Sequence, residues 1–547
     1  MKMENVNENK GGNWGPSIFF IANLLNFVLA TAVFTIPFPM YEVGMLLGTI
    51  ILTITCFISV IACTFIIEAL ALKNSLLKRE KAILGKAIQE NELNKKESID
   101  NNQNNDKEKD NDRPTFLSKD TLLSNIEIDN KKEDIKDDNN GDEKISEEKE
   151  RILSIENEED KDLDEKYDSF YIYRRYEISK LAKALPKVGY FFVVITIICY
   201  LYIGVTSNGI IAGNNLKDII GNTFGIEMPD YSYQIIVICF FIITITIALN
   251  NIKHLKKFSM FIMVMRFVII FLIIGCCCYS MIGLKVVADF SKLPKFDISN
   301  ITVMIGNSLF VFMSHHSIPG MVENFSPQKR LIKLLIIGYF FSLLFIVLYS
   351  YVGLFAFGIP DLSCDKNHEF PIAIQSTFSS NFLKLSVVGY IINYYPILNV
   401  ITSGMQLITL RNNILDAIDG CSPNLAKSLN FAEQKGVVAT LKNFLFNTIV
   451  AIPPITIGLL LQNIQSLMKY FSSILGFLLM LIVPILVVSQ YRQIFYQRKY
   501  RFSNLNRSFF KSKYGNIFII CMSFIIFGLI IFGFVKNTNN KTCVNEE

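Results

Sequence analysis

The stretch "NSLFVFMSHHSIPGMVENF" (residues 307–325) sets two adjacent histidines and a proline inside a run otherwise apolar enough to enter a membrane. Hydrocarbon offers no water to a backbone polar group, so a spanning helix must pair its own N–H and C=O groups. Pro319 has no N–H to donate, which deprives the carbonyl of His315 of its helical partner. Such a break persists only where it is buried in protein or lines a wet cavity. This stretch therefore faces inward.

A second stretch contradicts its own helical character in the same way. In "NLLNFVLATAVFTIPFP" (residues 23–39), Pro37 and Pro39 free the carbonyls of Val33 and Thr35. Runs of about 18 or more residues able to cross a bilayer number about eleven, at 15–38, 43–72, 188–212, 232–250, 257–282, 301–322, 332–357, 383–409, 443–462, 467–489 and 515–535. The fold class expected is an all-α polytopic membrane protein. The broken runs are the first and the sixth, so they open two five-span halves if spans one to five and six to ten are repeats. Interrupted segments at corresponding places in two halves point to a secondary transporter with its site at the midplane. Exposed N–H groups at a half-helix suit a carboxylate and freed carbonyls suit an ammonium or a cation. An amino acid carries both charges. A proline kink without transport meaning is the bland alternative for either span alone.

Composition agrees: of 547 residues, 51% are hydrophobic, 12% aromatic and 18% charged, and the charges are segregated. Alternate short connections hold Lys253, Lys256, Lys257, Lys329, Arg330, Arg411, Lys427, Lys435 and a run from Arg492 to Lys513, whereas the other set holds only Lys217, Lys285, Lys292, Lys295 and Lys366. The basic set is cytoplasmic by the positive-inside rule. This places residues 1–13 inside as an N-terminal tail and 537–547 outside or in a lumen. The first span is read as uncleaved, not as a signal peptide.

Residues 14–73 then carry spans one and two, 74–176 form a charged cytoplasmic insert, and 177–536 carry the other spans. The insert, with stretches such as "NNQNNDKEKDND", has too little apolar surface to offset the entropy of ordering. Within it, 74–97 have helix-forming composition and extend the second helix, and 169–189 read either as an amphipathic surface helix or as a polar lead-in to span three. Most cysteines lie in spans, where they pack; the run Cys276-Cys277-Cys278 is read the same way. Cys364 and Cys543 face the non-cytoplasmic side, and sequence leaves their pairing open. The loop 358–382 is either a vestibule cap or a connector. Asn300-Ile301-Thr302 and Asn540-Lys541-Thr542 are glycosylation triplets on that side.

Four stretches carry a family likeness: "NFVLATAVFTIP" (26–37), "TFIIEALA" (64–71), "VFMSHHSIPGMVENFSPQKRL" (311–331) and "LITLRNN" (407–413). With them the chain resembles the amino acid/auxin permease family, and within it the transmembrane protein 104-like branch. The resemblance implies the leucine-transporter-like fold, with two inverted five-helix repeats plus one helix, and proton- or sodium-coupled movement of amino acids. One departure stands out. Where the family has two glycines in the first broken helix, this sequence has Ala30 and Ala32, which make extended unwinding harder.

The substrate and ion pathway is expected at Asn26, Ala30, Thr31, Ala32 and Pro37 of span one and Ser314, His315, His316 and Pro319 of span six. His316 falls on a histidine of the branch, and an ordinary imidazole titrates near physiological pH. It is either a coupling or substrate-contacting group or a neutral ring that satisfies freed carbonyls. His315 matches a position that is not histidine in the branch. Thr402 and Ser403 supply hydroxyls where a sodium site in this fold needs them, or bond back to their own helix. Asn23 and Asn26 hold the first break open or pack between helices. Asn393, Tyr394 and Tyr395 line the pathway or simply pack. Arg266 and Glu68 are intramembrane charges that need partners, and each is a candidate for the other.

The function expected is a secondary active transporter of amino acids or similar small zwitterions, embedded in lipid and driven by H+ or Na+. A second reading is a nutrient sensor or scaffold whose insert engages cytoplasmic protein partners. No catalytic constellation, phosphate loop or zinc spacing occurs, so neither an enzyme, a cofactor, a metal nor a nucleic-acid partner is expected. No address signal chooses between the plasma membrane and a lysosome- or vacuole-like organelle.

Overall fold

The structure is a computed structural model that describes residues 15–103, 170–229, 231–249, 252–282, 293–323, 325, 327–358, 374–383, 386–431, 436–498, 500, 506, 508 and 513–539. Cys364, Cys543, Lys366, the triplet at Asn540, most of the insert and the centre of the 358–382 loop lie outside the described residues.

The described residues are helical almost throughout. Helices α1 (Gly15–Thr35), α2 (Pro37–Val43) and α3 (Met45–Gln103) open the chain. After the insert come α4 (Ile178–Ala182), α5 (Lys187–Phe224), α6 (Tyr231–Ile247) and α7 (Ile252–Ile282). The second half holds α8 (Ile301–Val311), α9 (Ile318–Val322), α10 (Leu331–Phe357), α11 (Ser386–Tyr394), α12 (Asn399–Cys421), α13 (Pro423–Leu429) and α14 (Val437–Leu460). A run from Ile464 to Gln497 alternates α-helix with two π-helical segments, Met468–Ser472 and Leu478–Ile482. The last helix, Lys513–Asn539, is α15.

Among the described residues, six helices are long and apolar enough to cross a membrane: Met45–Ala82, Lys187–Phe224, Phe261–Ile282, Gln328–Phe357, Val437–Leu460 and Ile464–Gln497. Shorter apolar helices occupy Pro16–Leu29, Tyr231–Ile247, Ile301–Val311 and Ile519–Val535. The expected span at 383–409 is instead divided among α11, a 3-10 turn at Tyr395–Leu398 and α12. Pro396 explains the division, since it cannot donate into a continuous helix.

The solvent of these helices is lipid, as α6 shows. Its buried face presents Tyr233, Val237, Phe241 and Thr244, while Ile235, Ile238 and Ile242 point outward and are exposed. A helix apolar on every side is a membrane helix or a fully buried one, and this one is open on one side. The buried face packs on α5 through Gly209 and Gly213, spaced four apart so that both glycines share one face. A Cβ at Gly213 would lie 2.7 Å from Val237 and 2.9 Å from Tyr233. Tyr233 completes the contact by donating its hydroxyl to the carbonyl of Gly458 at 2.8 Å.

Outside the long helices, two extended segments cling to helix ends. Residues 294–297 pair with 43–46: Met45 N–H donates to Pro294 O at 3.1 Å, Leu46 N–H to Lys295 O at 3.2 Å and Asp297 N–H to Val43 O at 2.7 Å. Gly44, at φ +89°, permits this approach, because a Cβ there would lie 2.5 Å from the Lys295 backbone. Residues 171–177 form the second segment, where an amphipathic helix over 169–189 was one expectation. Gln328 takes the place of a neighbouring strand, its amide accepting from Ile172 N–H at 2.9 Å and donating to Ile172 O at 2.8 Å. With its backbone satisfied from outside, the segment does not need to coil; only α4 is helical before Pro186 caps α5.

A smaller unit comprises 74–170 and 497–503. Its described part includes the far end of α3, which runs on as helix through 74–97, with the buried Arg79 guanidinium 4.2 Å from the ring of Tyr500.

Candidate functional site

The first break is short. The backbone is helical through Ala30, Thr31 and Ala32, of which only the main chain is described, and the helix is interrupted at Ile36 alone, whose own dihedrals stay helical (φ −75°, ψ −38°), before Pro37 opens α2. Thr35 O, which Pro39 cannot serve, accepts from the side-chain amide of Gln465 at 3.2 Å. Gln465 also donates to Ser376 O at 2.7 Å and accepts from Asn307 Nδ2 at 2.9 Å. One amide thus joins the end of α1, the segment before the 3-10 turn at Phe378 and α8.

The second break is longer: six residues, 312–317, separate α8 from α9. The hydroxyl donors converge on the carbonyl of Phe312, which accepts from Ser59 Oγ at 2.7 Å and Tyr339 Oη at 3.1 Å. Tyr339 Oη also lies 2.9 Å from Ser59 Oγ, 2.6 Å from Ser314 Oγ and 3.2 Å from Cys63 Sγ. Two helices, α3 and α10, therefore hold the break open by supplying what its backbone lost. Pro319 enters as the second residue of α9, where a missing N–H costs nothing.

The two histidines in this break have different surroundings. His315 is fully buried, with Nδ1 3.2 Å from Met313 Sδ and Nε2 without a hydrogen bond of normal geometry. The ring of His316 packs 5.9 Å from that of Tyr200 and, edge-on, 6.4 Å from that of Phe27. Its Nδ1 is buried and unpaired. Phe27 brings α1 to the second break, and Tyr200, its ring tilted at 46° and 5.8 Å from that of Phe310, brings α5.

Arg266 and Glu68 are both buried, but they do not pair. Arg266 donates to the carbonyl and side-chain oxygens of Asn26, to Tyr395 Oη at 2.9 Å and to Asn399 Oδ1 at 3.5 Å. Glu68 instead grips Arg492 through two bonds of 2.8 Å and accepts from Ser508 N–H at 2.9 Å. The expectation of a Glu68–Arg266 pair is corrected. A bidentate fork plus a backbone donor is a better partner for a fully desolvated carboxylate, and Arg266 is satisfied by neutral oxygens.

Ser403 is buried with its hydroxyl unpaired, and Thr402 is partly buried. Their helix, α12, packs chiefly on α5 and α6. Asn393 bonds back to Gly389 O at 2.9 Å, Tyr394 is exposed, and Tyr395 stacks on Phe34 at 6.0 Å. Asn300 is engaged with Glu42.

Sequence reasoning did not single out Gln465, Tyr339, Ser59, Tyr200 or Asn399. Gln465 carried a usable signal, an uncharged polar residue at the mouth of an apolar run. The others look like ordinary span residues, and only three-dimensional pairing reveals them.

A family model described as transmembrane amino acid transporter protein matches residues 169–535. The transmembrane protein 104 homolog of Dictyostelium discoideum is 26% identical over 518 residues, covering 92% of this chain and 93% of that protein. Human transmembrane protein 104 is 22% identical over 244 residues, 43% of this chain and 44% of its own, and the Drosophila melanogaster homolog 26% over 195 residues, 35% and 36%. Among solved structures, MhsT in complex with L-phenylalanine is 14% identical and covers 66% of this chain and 84% of its own, at a TM-score of 0.39. With its match running over well more than half of the sequence, the chain belongs to the transmembrane amino acid transporter protein family.

Proposed function

We propose that this chain is a secondary active transporter that moves amino acids or similar small zwitterions by alternating access around its two helix breaks. The observation that carries the reading is the six-residue break at 312–317, held open by Ser59 and Tyr339 and carrying two buried histidine nitrogens, Nε2 of His315 and Nδ1 of His316, without hydrogen bonds of normal geometry. Buried polar groups without partners are costly in a membrane and mark pathways by default. In this reading about eleven spans form two inverted five-helix repeats plus one helix, with the N-terminus cytoplasmic.

Protons suit the coupling better than sodium. Arg266 sets a permanent positive charge against the Asn26 carbonyl and Asn399, and Asn399 lies one helical turn from Ser403 on the same face. A metal cation at the Ser403 hydroxyl would be repelled by that guanidinium. His316, aromatic-lined and adjacent to α1, is the group we assign to proton movement, with Asn26, Thr31 and Ser314 along the route.

Uptake into proteoliposomes across an amino-acid panel, under imposed proton or sodium gradients, tests this. Flux that follows the pH gradient is expected. Intact protein with no flux under any gradient would remove the transporter reading.

A further inference from the structure

Among the described residues, Arg492 and Arg266 have spent the same edge of the guanidinium. Arg492 gives Nε and Nη2 to Glu68, and Arg266 gives them to Tyr395 and Asn399. Arg411 of α12 is different. It bonds only through Nη1, to Asn443 Oδ1 at 3.0 Å and Asn447 Oδ1 at 3.5 Å of α14. Its Nε is buried without a partner, and its Nη2 makes no hydrogen bond among the described residues. The Nε–Nη2 edge is the one that grips a carboxylate or phosphate through two parallel N–H···O bonds.

The surroundings lack what that edge needs. Asn447 Nδ2 is another buried donor without a partner. The acids on the same helix are turned elsewhere: Asp416 accepts from Ser179 and Asp419 from Lys183. Unused donors and a positive charge, 6% exposed, thus meet with no anion beside them among the described residues. A buried charge in that condition is strongly unfavourable, and an oxyanion corrects the charge and the donors together.

The position says where the oxyanion comes from. Asn443 stands in the first turns of α14, flanked by Leu441 at 58% and Leu445 at 54% exposure, which face lipid. Lys442 is in the same turn, its Nζ 5.7 Å from the Phe431 ring. Basic residues at a helix end beside lipid-facing leucines sit at headgroup level, on the side that the distribution of Lys and Arg makes cytoplasmic. We propose that Arg411, framed by Asn443 and Asn447, binds the phosphate of an anionic lipid headgroup from the cytoplasmic leaflet in the groove between α12 and α14. The site does not depend on the transport reading.

The full chain, purified into phosphatidylcholine nanodiscs, would be titrated with phosphatidic acid and, separately, with inorganic phosphate. Native mass spectrometry counts bound lipid, and the thermal midpoint reports folding. The wild type is expected to retain one phosphatidic acid. Arg411→Gln should weaken it tenfold or more, and Arg411→Lys, which keeps the charge but loses the fork, by severalfold. Lys442→Gln should change it less than twofold. If Arg411→Gln fails to fold, Arg411→Lys and Asn447→Leu carry the test. Unchanged affinity in Arg411→Lys, or an equal loss in Lys442→Gln, would overturn the site. Inorganic phosphate competing at equal concentration would overturn the lipid assignment.

Discussion

The side-chain amide of Gln465 reaches the carbonyl of Thr35, 430 positions away in sequence, at 3.2 Å, and serves Ser376 O and Asn307 Nδ2 as well. Replacing it by leucine takes a donor from the carbonyls of Thr35 and Ser376 and an acceptor from Asn307, which keeps its bond to Val303 O at 2.9 Å. At about 1–3 kcal/mol for each unsatisfied group, with partial relaxation, Gln465→Leu should destabilise the fold by about 3 kcal/mol. A lowered thermal midpoint checks this; an unchanged one would show the amide to be incidental.

The Glu68–Arg492 fork should behave as a unit. Removing one partner strands the other charge, at about 3 kcal/mol or more, so Glu68→Gln and Arg492→Gln should each lower the midpoint strongly. The exchange Glu68→Arg with Arg492→Glu should recover part of the loss. An exchange between Glu68 and Arg266 should recover nothing.

Tyr339 gathers Ser59, Cys63, Ser314 and Phe312 O at the second break. Tyr339→Phe keeps the ring, which stacks on Phe312 at 6.2 Å, and removes only the hydroxyl. Loss of about 1–2 kcal/mol is expected. Because the break loses a donor that holds it open, flux should fall more than folded yield does.

The two histidines can be separated in the uptake assay. His316→Phe preserves aromatic packing against Tyr200 and Phe27 while removing the titrating ring, so flux should persist at reduced rate with its pH dependence flattened. His315→Phe should act mainly on stability. The reverse pattern would transfer the coupling role to His315.

Outside the spans, Glu42 is half-buried against Asn300, and burial pushes its carboxyl above the usual range, further helped by Asp297 and opposed by the Asn300 hydrogen bond. A carboxyl raised on folding favours the folded state while protonated. That contribution is complete at acid pH and is lost as pH rises from the unfolded carboxylate value through the raised one. Glu42→Gln should abolish this slope and raise the midpoint slightly at neutral pH.

Much of the fold was legible because the membrane imposes periodic demands. Apolar runs had to be helices, and Pro37 and Pro319 had to interrupt two of them. What escaped was everything set by partners distant in sequence. Ala30 and Ala32 signalled resistance to unwinding, and the backbone there is helical, yet nothing local showed that Gln465 would serve the freed carbonyl. Glu68 and Arg266 were legible as charges needing partners, but burial alone does not name a partner. Arg492 reads as a loop charge because it lies just past the apolar run, so nothing local joins it to Glu68. The segment 171–177 read as helix-compatible because composition cannot register an amide from Gln328.

That segment has an implication for the insert. Since Gln328 pairs with Ile172 as a neighbouring strand would, and Asn506 donates to Gln328 at 3.2 Å, the last residues before α4 behave as a fixed clasp, whatever precedes them. Shortening the chain between 104 and 168 leaves the clasp its own hydrogen bonds. Cutting past Tyr171 removes them and exposes the amide of Gln328. The insert is therefore divisible by chemistry at one residue, with length free to vary on one side and geometry fixed on the other.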